Sequence, residues 1–348
     1  MPNINESAAL TVTELRDEET DAWDAFVQSN DRSTFFHLAG WREVISASCG
    51  FRPYYLYAHR DGVVQGVLPL FHVRSILFGN TLKSTPFCVV GGPVGSAVAV
   101  DALVDAALAL ADRLCVDGLE LRNHEASLDD WSANDLYVTF SRDIDPDPEK
   151  NMKAIPRKQR AMVRKGIKAG LGSEVETSLE NFLSIYSASV RNLGTPVFPK
   201  AYFLKLREVF ASSCEVTTVY KDGEPVSSVL SFLFGDTVLP YYGGGLPKAR
   251  TLAAYDFLYW EVMRRACENG LRRFDFGRSK QGAGSYSFKK NWGFEPQPLH
   301  YRYLPIKSDS IPDRNPMSPK YRTAVALWKK LPMPIANTMG PLISPYLA

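Results

Sequence analysis

Alternating apolar and polar residues predict two β-hairpins of similar sequence, at 55–71 and at 218–234. Each run is interrupted by an Asp-Gly pair, Asp61-Gly62 in the first and Asp222-Gly223 in the second. Such a pair favours a two-residue turn, because glycine adopts the positive φ angle that the turn requires. An Arg-Glu-Val sequence precedes both runs. The sequence therefore predicts the same helix end and hairpin twice.

The two halves remain similar downstream of the hairpins. In each half a glycine-rich turn precedes a helix with one apolar face, and a glycine ends that helix before a further strand. The predicted elements are a helix at about 101–117 and a strand at 119–122 in the first half, and a helix at about 252–269 and a strand at 271–276 in the second. A shared order of this length indicates duplication. We expect residues 35–123 and 198–276 to superpose.

An acidic, proline-containing segment at 143–149 separates the halves. Residues that precede proline avoid the helical conformation, so this segment suits an extended linker. We expect an N-terminal domain at 1–145, a C-terminal domain at 150–305, and a Pro-rich tail at 306–348 with one short helix near 319–331. We interpret that helix as packing across the two domains, in preference to an interfacial membrane contact.

Composition narrows the class of protein. The chain has 348 residues, a net charge of +2, and five scattered cysteines without a CxxC pair. Neither a disulfide framework nor a metal site is expected. The N-terminal sequence lacks the basic-then-apolar order of a signal peptide, and three aspartates interrupt the apolar stretch at 94–116. We expect a cytoplasmic protein, with peripheral contact to the inner membrane left open.

A basic helix is predicted at 157–169. It presents Arg157, Arg160 and Arg164 at i, i+3 and i+7, which makes one positive stripe. The stripe has two interpretations: a binding surface for a phosphate-rich ligand such as tRNA, CoA or an undecaprenyl-linked sugar, or a solvated helix face. Because no acid compensates the stripe, we favour the ligand. Nothing in the sequence indicates DNA binding.

Several segments resemble the FemAB branch of the GNAT superfamily, in particular FemAB-like proteins of PEP-CTERM/exosortase exopolysaccharide systems. The resemblance lies in FFHLAGWREV (35–44), PRKQRAMVRKGIKAGL (156–171), NLGTPVFPKAYF (192–203), YYGGG (241–245) and FDFGRSKQGAGSYSFKKNWGF (274–294). The last segment is also similar to BioF2-like acetyltransferase domains. The resemblance implies an α/β fold of tandem duplicated GNAT-like domains, with mixed central sheets flanked by helices. It also implies aminoacyl transfer from aminoacyl-tRNA to peptidoglycan precursors.

The chain differs from these families in the segments with which they bind the donor. It lacks the inserted helical hairpin with which some FemAB enzymes hold tRNA. Residues 250–255, which begin with Arg250, have no glycine where GNAT enzymes bind pyrophosphate through backbone amides. Arg250 is the candidate contact to a bound donor. The donor therefore stays open between aminoacyl-tRNA and acyl-CoA, and no resident cofactor is expected.

The candidate catalytic residues lie mostly in 274–294. The resemblance assigns Lys289 to phosphate or to the developing oxyanion, whereas the residues alone favour a solvated charge on an edge strand. The alternation predicts a strand with Tyr286 and Phe288 on one face, as substrate contacts, and Lys289 on the other. Asp275 is either a base or a cap for the following loop.

Two further candidates complete the predicted site. Arg278 is a candidate substrate contact. Of the pair before the glycines, Tyr241 and Tyr242, only one should point into the cleft, and Tyr242 is the catalytic candidate. We expect the arginine stripe and Lys289 to serve one site, because both elements border the cleft of a GNAT-like module.

The resulting hypothesis is a FemAB-type N-acyl or aminoacyl transferase, of the acyltransferase class EC 2.3. It would act on an amine of a cell-envelope or exopolysaccharide precursor, with a lipid-linked or polysaccharide acceptor. Two alternatives remain: a CoA-dependent acetyltransferase that modifies a sugar amine, and a degenerate, non-catalytic pair of GNAT domains that binds polysaccharide or a biosynthetic partner.

Overall fold

The computed structural model describes residues 9–75, 79–123, 131–134, 136–307 and 319–347. The chain forms two compact units, each made of two stretches of sequence. Unit 1 contains residues 1–135 and 299–312, and unit 2 contains residues 136–298 and 313–348.

The described residues between 9 and 134 form seven strands and three α-helices. In chain order these are β1 (Thr11–Glu14), α1 (Thr20–Ser29), α2 (Gly40–Cys49), β2 (Arg52–Arg60), β3 (Val63–Ser75), β4 (Gly79–Ser84), β5 (Val94–Gly95), α3 (Ala97–Arg113), β6 (Gly118–Asn123) and β7 (Ser132–Asn134).

The remaining described residues form ten strands and nine α-helices. In chain order these are β8 (Tyr137–Thr139), β9 (Ser141–Asp143), α4 (Pro148–Ala154), α5 (Arg157–Lys168), β10 (Gly172–Glu176), α6 (Glu180–Leu193), α7 (Lys200–Phe210), β11 (Cys214–Lys221), β12 (Glu224–Phe234), β13 (Thr237–Gly245), α8 (Pro247–Thr251), α9 (Ala254–Glu268), β14 (Arg273–Asp275), β15 (Ser279–Lys280), α10 (Gly284–Asn291), β16 (Gln297–Pro298), β17 (His300–Pro305), α11 (Pro319–Trp328) and α12 (Met333–Ile343).

The two main sheets share one topology, which confirms the predicted duplication. Unit 1 has the strand order β1-β2-β3-β4-β6-β17-β7, and unit 2 has β10-β11-β12-β13-β14-β9. In each sheet the first four strands pair with one another in antiparallel fashion. The fifth strand is parallel to the fourth. Two helices connect the first and second strands in both, and a long helix connects the fourth and fifth, α3 in unit 1 and α9 in unit 2.

The predicted hairpin turns occupy equivalent places in the two sheets. Asp61 and Gly62 connect β2 to β3 with φ angles of +50° and +76°, and Asp222 and Gly223 connect β11 to β12 with +53° and +80°. Positive φ at both central residues is the signature of a type I′ turn, whose twist matches that of the strands. The predicted turn chemistry is therefore confirmed at both positions.

In each sheet, the strand beyond the fifth comes from a distant part of the sequence. In unit 1, β6 pairs on one side with β17, which follows unit 2's sheet along the chain. In unit 2, β14 pairs with β9, which precedes that sheet. No pattern in the sequence predicts these two pairings.

Each sheet is covered by apolar faces of its own helices. In unit 1, Leu103, Ala107 and Leu110 of α3 are buried with apolar residues of β2 and β3. In unit 2, α5 packs on α9 so closely that a Cβ at Gly166 would lie 2.8 Å from that of Phe257. The long helix therefore has the same position in both repeats.

The C-terminal segment contains the predicted helix, α11, and a second helix, α12, that the sequence analysis does not predict. Pro332 and Pro334 lie at the N-cap and in the first turn of α12, where a missing N–H costs nothing. Within the described residues, no helix has both the length and the apolar character needed to cross a bilayer.

Candidate active site

The strands of unit 2 diverge where its fourth and fifth strands meet. The parallel ladder between β13 and β14 consists of Thr237 opposite Arg273 and Val238 opposite Phe274. Beyond these pairs β13 continues to Gly245, while β14 ends at Asp275. On its other edge β13 carries a bulge at Tyr241, because Leu230 pairs with Tyr242 and Ser231 with Pro240. The two strands therefore separate beyond Val238 and Phe274.

Aromatic side chains surround this separation. The ring of Tyr259 in α9 lies 5.0 Å from that of Phe276, just beyond β14, and 5.5 Å from that of Phe288. Its hydroxyl would lie 3.1 Å from a Cβ at Gly243 of β13. Glycine at this position lets the ring approach the strand. Tyr259 thus reaches from one diverging strand towards the other.

Lys289 is held against the loop that follows β14. Its Nζ donates hydrogen bonds to the carbonyl oxygens of Gly277, at 2.9 Å, and of Arg278, at 3.0 Å. The ring centroid of Phe140 lies 5.7 Å from the same atom. The side chain is buried, so the alternative of a solvated edge charge is wrong. An ammonium group has three N–H donors, and these two carbonyls use two of them.

Burial lowers the pKa of Lys289 to about 7. The carboxylate of Asp275 opposes this shift by favouring the charged amine, and the cation of Arg278 reinforces it. A buried amine that titrates near neutrality is typical of catalytic sites, although structural networks produce such shifts too.

Asp275 shapes the same loop. Its Oδ1 accepts hydrogen bonds from the N–H of Gly277, at 2.7 Å, and from the hydroxyl of Thr139, at 3.5 Å. Gly277 has a φ angle of +66°, which suits the tight turn. The structure shows the loop-capping arrangement, and a catalytic role for Asp275 stays a prediction.

The predicted strand at 286–289 is wrong, because these residues lie in helix α10. An apolar alternation over four residues does not distinguish a strand from a helix, and here the i, i+4 pair Phe288 and Trp292 packs on Phe276. Tyr286 packs on Phe140. Both predicted substrate aromatics are half-buried in unit 2, and their contact with substrate stays a prediction.

Tyr242 lies in an aromatic cluster. Its hydroxyl is 2.9 Å from that of Tyr202, and its ring contacts those of Tyr186 and Phe203. Burial raises its pKa well above the usual range. These contacts give the Tyr242 side chain a structural role in the packing of the cluster. Its catalytic role stays a prediction.

The basic helix has one buried and one exposed face. Gln159, Val163 and Gly166 are buried. The exposed face borders an open depression of about 460 Å³, lined by Arg157, Arg160, Ala161, Arg164, Lys165 and Lys168. The predicted stripe is confirmed as a surface feature. No residue of 274–294 lines this depression, so the structure does not bring Lys289 into it.

A buried carboxyl connects the basic helix to the candidate site. Oδ1 of Asp256, in the first turn of α9, accepts hydrogen bonds from Nε2 of Gln159 at 2.8 Å and from Nε1 of Trp292 at 3.0 Å. Burial raises the pKa of Asp256. No motif in the sequence predicts this triad. An acid among the apolar residues of a predicted helix was the available indication.

Residues 246–253 connect β13 to α9 and include Arg250, the predicted donor contact. Between β13 and α9 the chain forms α8, and Ala253 takes a left-handed φ of +56° before α9 begins. Arg250 is exposed on α8. Its contact with a donor stays a prediction. No group of three or more potential metal ligands occurs among the described residues.

In unit 1 the chain itself fills the corresponding place. The N–H groups of Gly91 and Gly92 both donate to the carbonyl oxygen of Arg122, in the strand parallel to β4. The guanidinium of Arg122 donates to the carbonyl of Cys88 and pairs with Glu120. The polar groups at this place are thus engaged in contacts within unit 1. Unit 2 is therefore the better candidate for the reacting centre.

Comparison with known proteins agrees with this geometry. Residues 150–290 match the acetyltransferase (GNAT) domain family. No curated protein sequence matches the chain significantly.

Three solved structures share the fold. A FemX crystal structure is similar over 85% of this chain and 98% of its own, at 16% identity and a TM-score of 0.67. The C-terminal domain of a putative lysylphosphatidylglycerol synthetase from Agrobacterium fabrum covers 90% and 95%, at 14% identity and 0.56. A tandem GNAT protein from the clavulanic acid biosynthesis pathway covers 87% and 100%, at 15% identity and 0.54.

Residues 150–290, which lie in unit 2, are thus similar to GNAT acetyltransferase domains. The fold of the chain is shared with the FemX and tandem GNAT structures.

Proposed function

We propose that unit 2 transfers an acyl or aminoacyl group to an amine of a cell-envelope or exopolysaccharide precursor. The observation that carries the proposal is Lys289. Its amine is buried near the diverging strands, is held by the carbonyls of Gly277 and Arg278, and has a pKa of about 7.

The chemistry needs few protein groups. The acceptor amine attacks the carbonyl carbon of the donor, a C–N bond forms, and the carbonyl oxygen becomes an oxyanion. The oxyanion then collapses, the bond to the leaving oxygen or sulfur breaks, and the amine's proton passes to the leaving group or to water. The third N–H of protonated Lys289 stabilises the oxyanion, an interaction that is strong in a site of low dielectric.

We favour an aminoacyl ester over a CoA thioester as the donor. Residues 246–253 contain no glycine that would let backbone approach a pyrophosphate. The first turn of α9, where such a group would bind, already holds the buried carboxyl of Asp256. A carboxyl there competes with a phosphate for the same helix terminus. The basic face of α5 offers a separate surface for the phosphates of tRNA.

A CoA-dependent acetyltransferase that modifies a sugar amine is the second candidate. It is favoured by the match of residues 150–290 to acetyltransferase domains. The two candidates differ in the leaving group, a ribose hydroxyl or a thiol, and share the same use of Lys289.

Single-turnover assays separate these candidates. The protein is mixed with radiolabelled aminoacyl-tRNA or with labelled acetyl-CoA, and with UDP-linked peptidoglycan precursors, lipid-linked oligosaccharides or glucosamine polymers as acceptors. We expect amide formation from aminoacyl-tRNA, and Lys289→Met should slow it by about 100-fold or more. Transfer from acetyl-CoA, with tight CoA binding by calorimetry, would establish the second candidate. Binding of an acceptor without transfer from either donor would establish a non-catalytic protein.

A further inference from the structure

Helix α12 carries an exposed apolar ridge in unit 2. Ile335, Met339 and Leu342 follow the i, i+4, i+7 spacing and therefore line one side of the helix. They are 44%, 43% and 72% exposed. Single exposed apolar residues are ordinary, but three in one row on one helix mark an interaction surface.

The ridge is distinct from the face with which α12 packs. Ala336 and Gly340 are the buried residues of this helix. A Cβ at Gly340 would lie 2.9 Å from the backbone nitrogen of Val197, so this face fits closely against unit 2. The ridge lies about 100° away around the helix axis, since adjacent residues differ by that angle. Packing within the unit therefore leaves the ridge uncovered.

The chain segment that contains the ridge has only basic charged side chains. Residues 314–348 contain five Lys or Arg and no Asp or Glu. The described cations are Arg322, Lys329 and Lys330, all exposed, and Lys329 and Lys330 lie shortly before α12. Leu327, 65% exposed, lies beside them at the end of α11. The segment thus combines a row of exposed apolar residues with exposed cations shortly before it in the sequence.

We propose that α12 docks unit 2 on an anionic lipid bilayer. The apolar ridge enters the boundary between headgroups and acyl chains, and Lys329 and Lys330 contact the lipid phosphates. An exposed apolar helix face with bases nearby is typical of helices that lie in a membrane interface. Each basic residue near an anionic surface adds to the attraction, and salt weakens it. This surface is independent of the acyl-transfer site.

Vesicle sedimentation tests the proposal with the full chain. Unilamellar vesicles of phosphatidylcholine with about 30% phosphatidylglycerol are compared with vesicles of phosphatidylcholine alone. We expect binding to the anionic vesicles that falls as salt rises. The ridge variant Ile335→Ser/Met339→Ser/Leu342→Ser should weaken it more than tenfold. The charge variant Lys329→Gln/Lys330→Gln should weaken it about tenfold or more.

The matched control replaces three exposed apolar residues elsewhere, as Val98→Ser/Val175→Ser/Leu204→Ser. It should bind vesicles as the natural protein does. Thermal unfolding of every variant checks folding, which exposed substitutions change little. Equal vesicle binding by all variants, or no binding by the natural protein, would overturn the proposal. So would sedimentation velocity showing a dimer that the ridge variant dissociates without any vesicle binding, since the ridge would then bind a second copy.

Discussion

The Nζ atom of Lys289 lies 2.9 Å from the carbonyl oxygen of Gly277, and this hydrogen bond connects helix α10 to the loop after β14. Lys289→Met keeps the length of the side chain and removes its donors. We expect kcat to fall by about 100-fold or more, the scale of one oxyanion donor, with little change in KM. Single-turnover rates provide the measurement. A variant whose KM rises while kcat is kept would place Lys289 in substrate binding instead.

The pH dependence of the rate follows from the lowered pKa of Lys289, about 7. The ammonium form stabilises the oxyanion, so kcat should fall as pH rises through this value, once the acceptor's own titration is subtracted. Arginine stays protonated throughout this range. Lys289→Arg, where it retains activity, should therefore lose the decline between pH 6 and 9. A rate that rises with pH would make the neutral amine a base.

The same lowered pKa affects stability. An unfolded lysine has a pKa near 10.4. Between about pH 7 and 10.4 the unfolded state binds more protons than the folded state, so the free energy of unfolding rises with pH. The slope is at most about 1.4 kcal/mol per pH unit, because one proton is involved. Urea denaturation at pH 6, 8 and 10 should show this rise in the natural protein relative to Lys289→Met. The same pH dependence of the unfolding free energy in the natural protein and in Lys289→Met would contradict this prediction.

The hydrogen bonds of Asp256 predict a stability effect. Asp256→Ala leaves the donors of Gln159 and Trp292 without their buried acceptor and should destabilise unit 2 by about 2–4 kcal/mol. Asp256→Asn keeps an acceptor oxygen and serves as the matched control, with a smaller loss. Denaturant midpoints measure both. Equal losses of stability in Asp256→Ala and Asp256→Asn would show that the charge of Asp256, and not its acceptor oxygen, stabilises the unit.

Gly244 tests the contact between β13 and α6. A Cβ at this position would lie 2.9 Å from that of Ser189 and 3.0 Å from Cα of Tyr186. Gly244→Ala should therefore destabilise the fold by about 1–3 kcal/mol through overpacking. Gly172 also lies in a strand, and a Cβ there would have no neighbouring atom within 4 Å, so Gly172→Ala should be nearly neutral by thermal unfolding. Equal unfolding temperatures for the two variants would show that close packing at Gly244 does not limit the size of this residue.

The arginine stripe predicts an effect on binding. Arg157→Gln and Arg164→Gln should each weaken tRNA binding by about tenfold and reduce its salt dependence. Lys158 is exposed on the same helix but does not line the depression, so Lys158→Gln is the control with a smaller loss. Filter binding at several salt concentrations gives both quantities. Equal losses for all three variants would indicate a diffuse charge effect.

Local chemistry explains what the sequence could predict. The Asp-Gly turns, α9 and the basic stripe depend on residues within one element, and all three are present. The prediction of a strand around Lys289 is wrong, because the alternation of apolar and polar residues there covers too few positions. The contact of Asp256 with Trp292 joins side chains that are distant in sequence, and no local pattern specifies it. The same holds for the pairing of β6 with β17.

That pairing also bears on how the protein is made. During synthesis β6 leaves the ribosome early, but its neighbour β17 follows only after the whole sheet of unit 2. At roughly 5–20 residues per second, the backbone edge of β6 waits on the order of ten seconds or more for its partner. An unpaired strand edge can recruit other chains. Biogenesis of unit 1 is thus tied to completion of unit 2, and slow translation or truncation there should increase aggregation of the nascent protein.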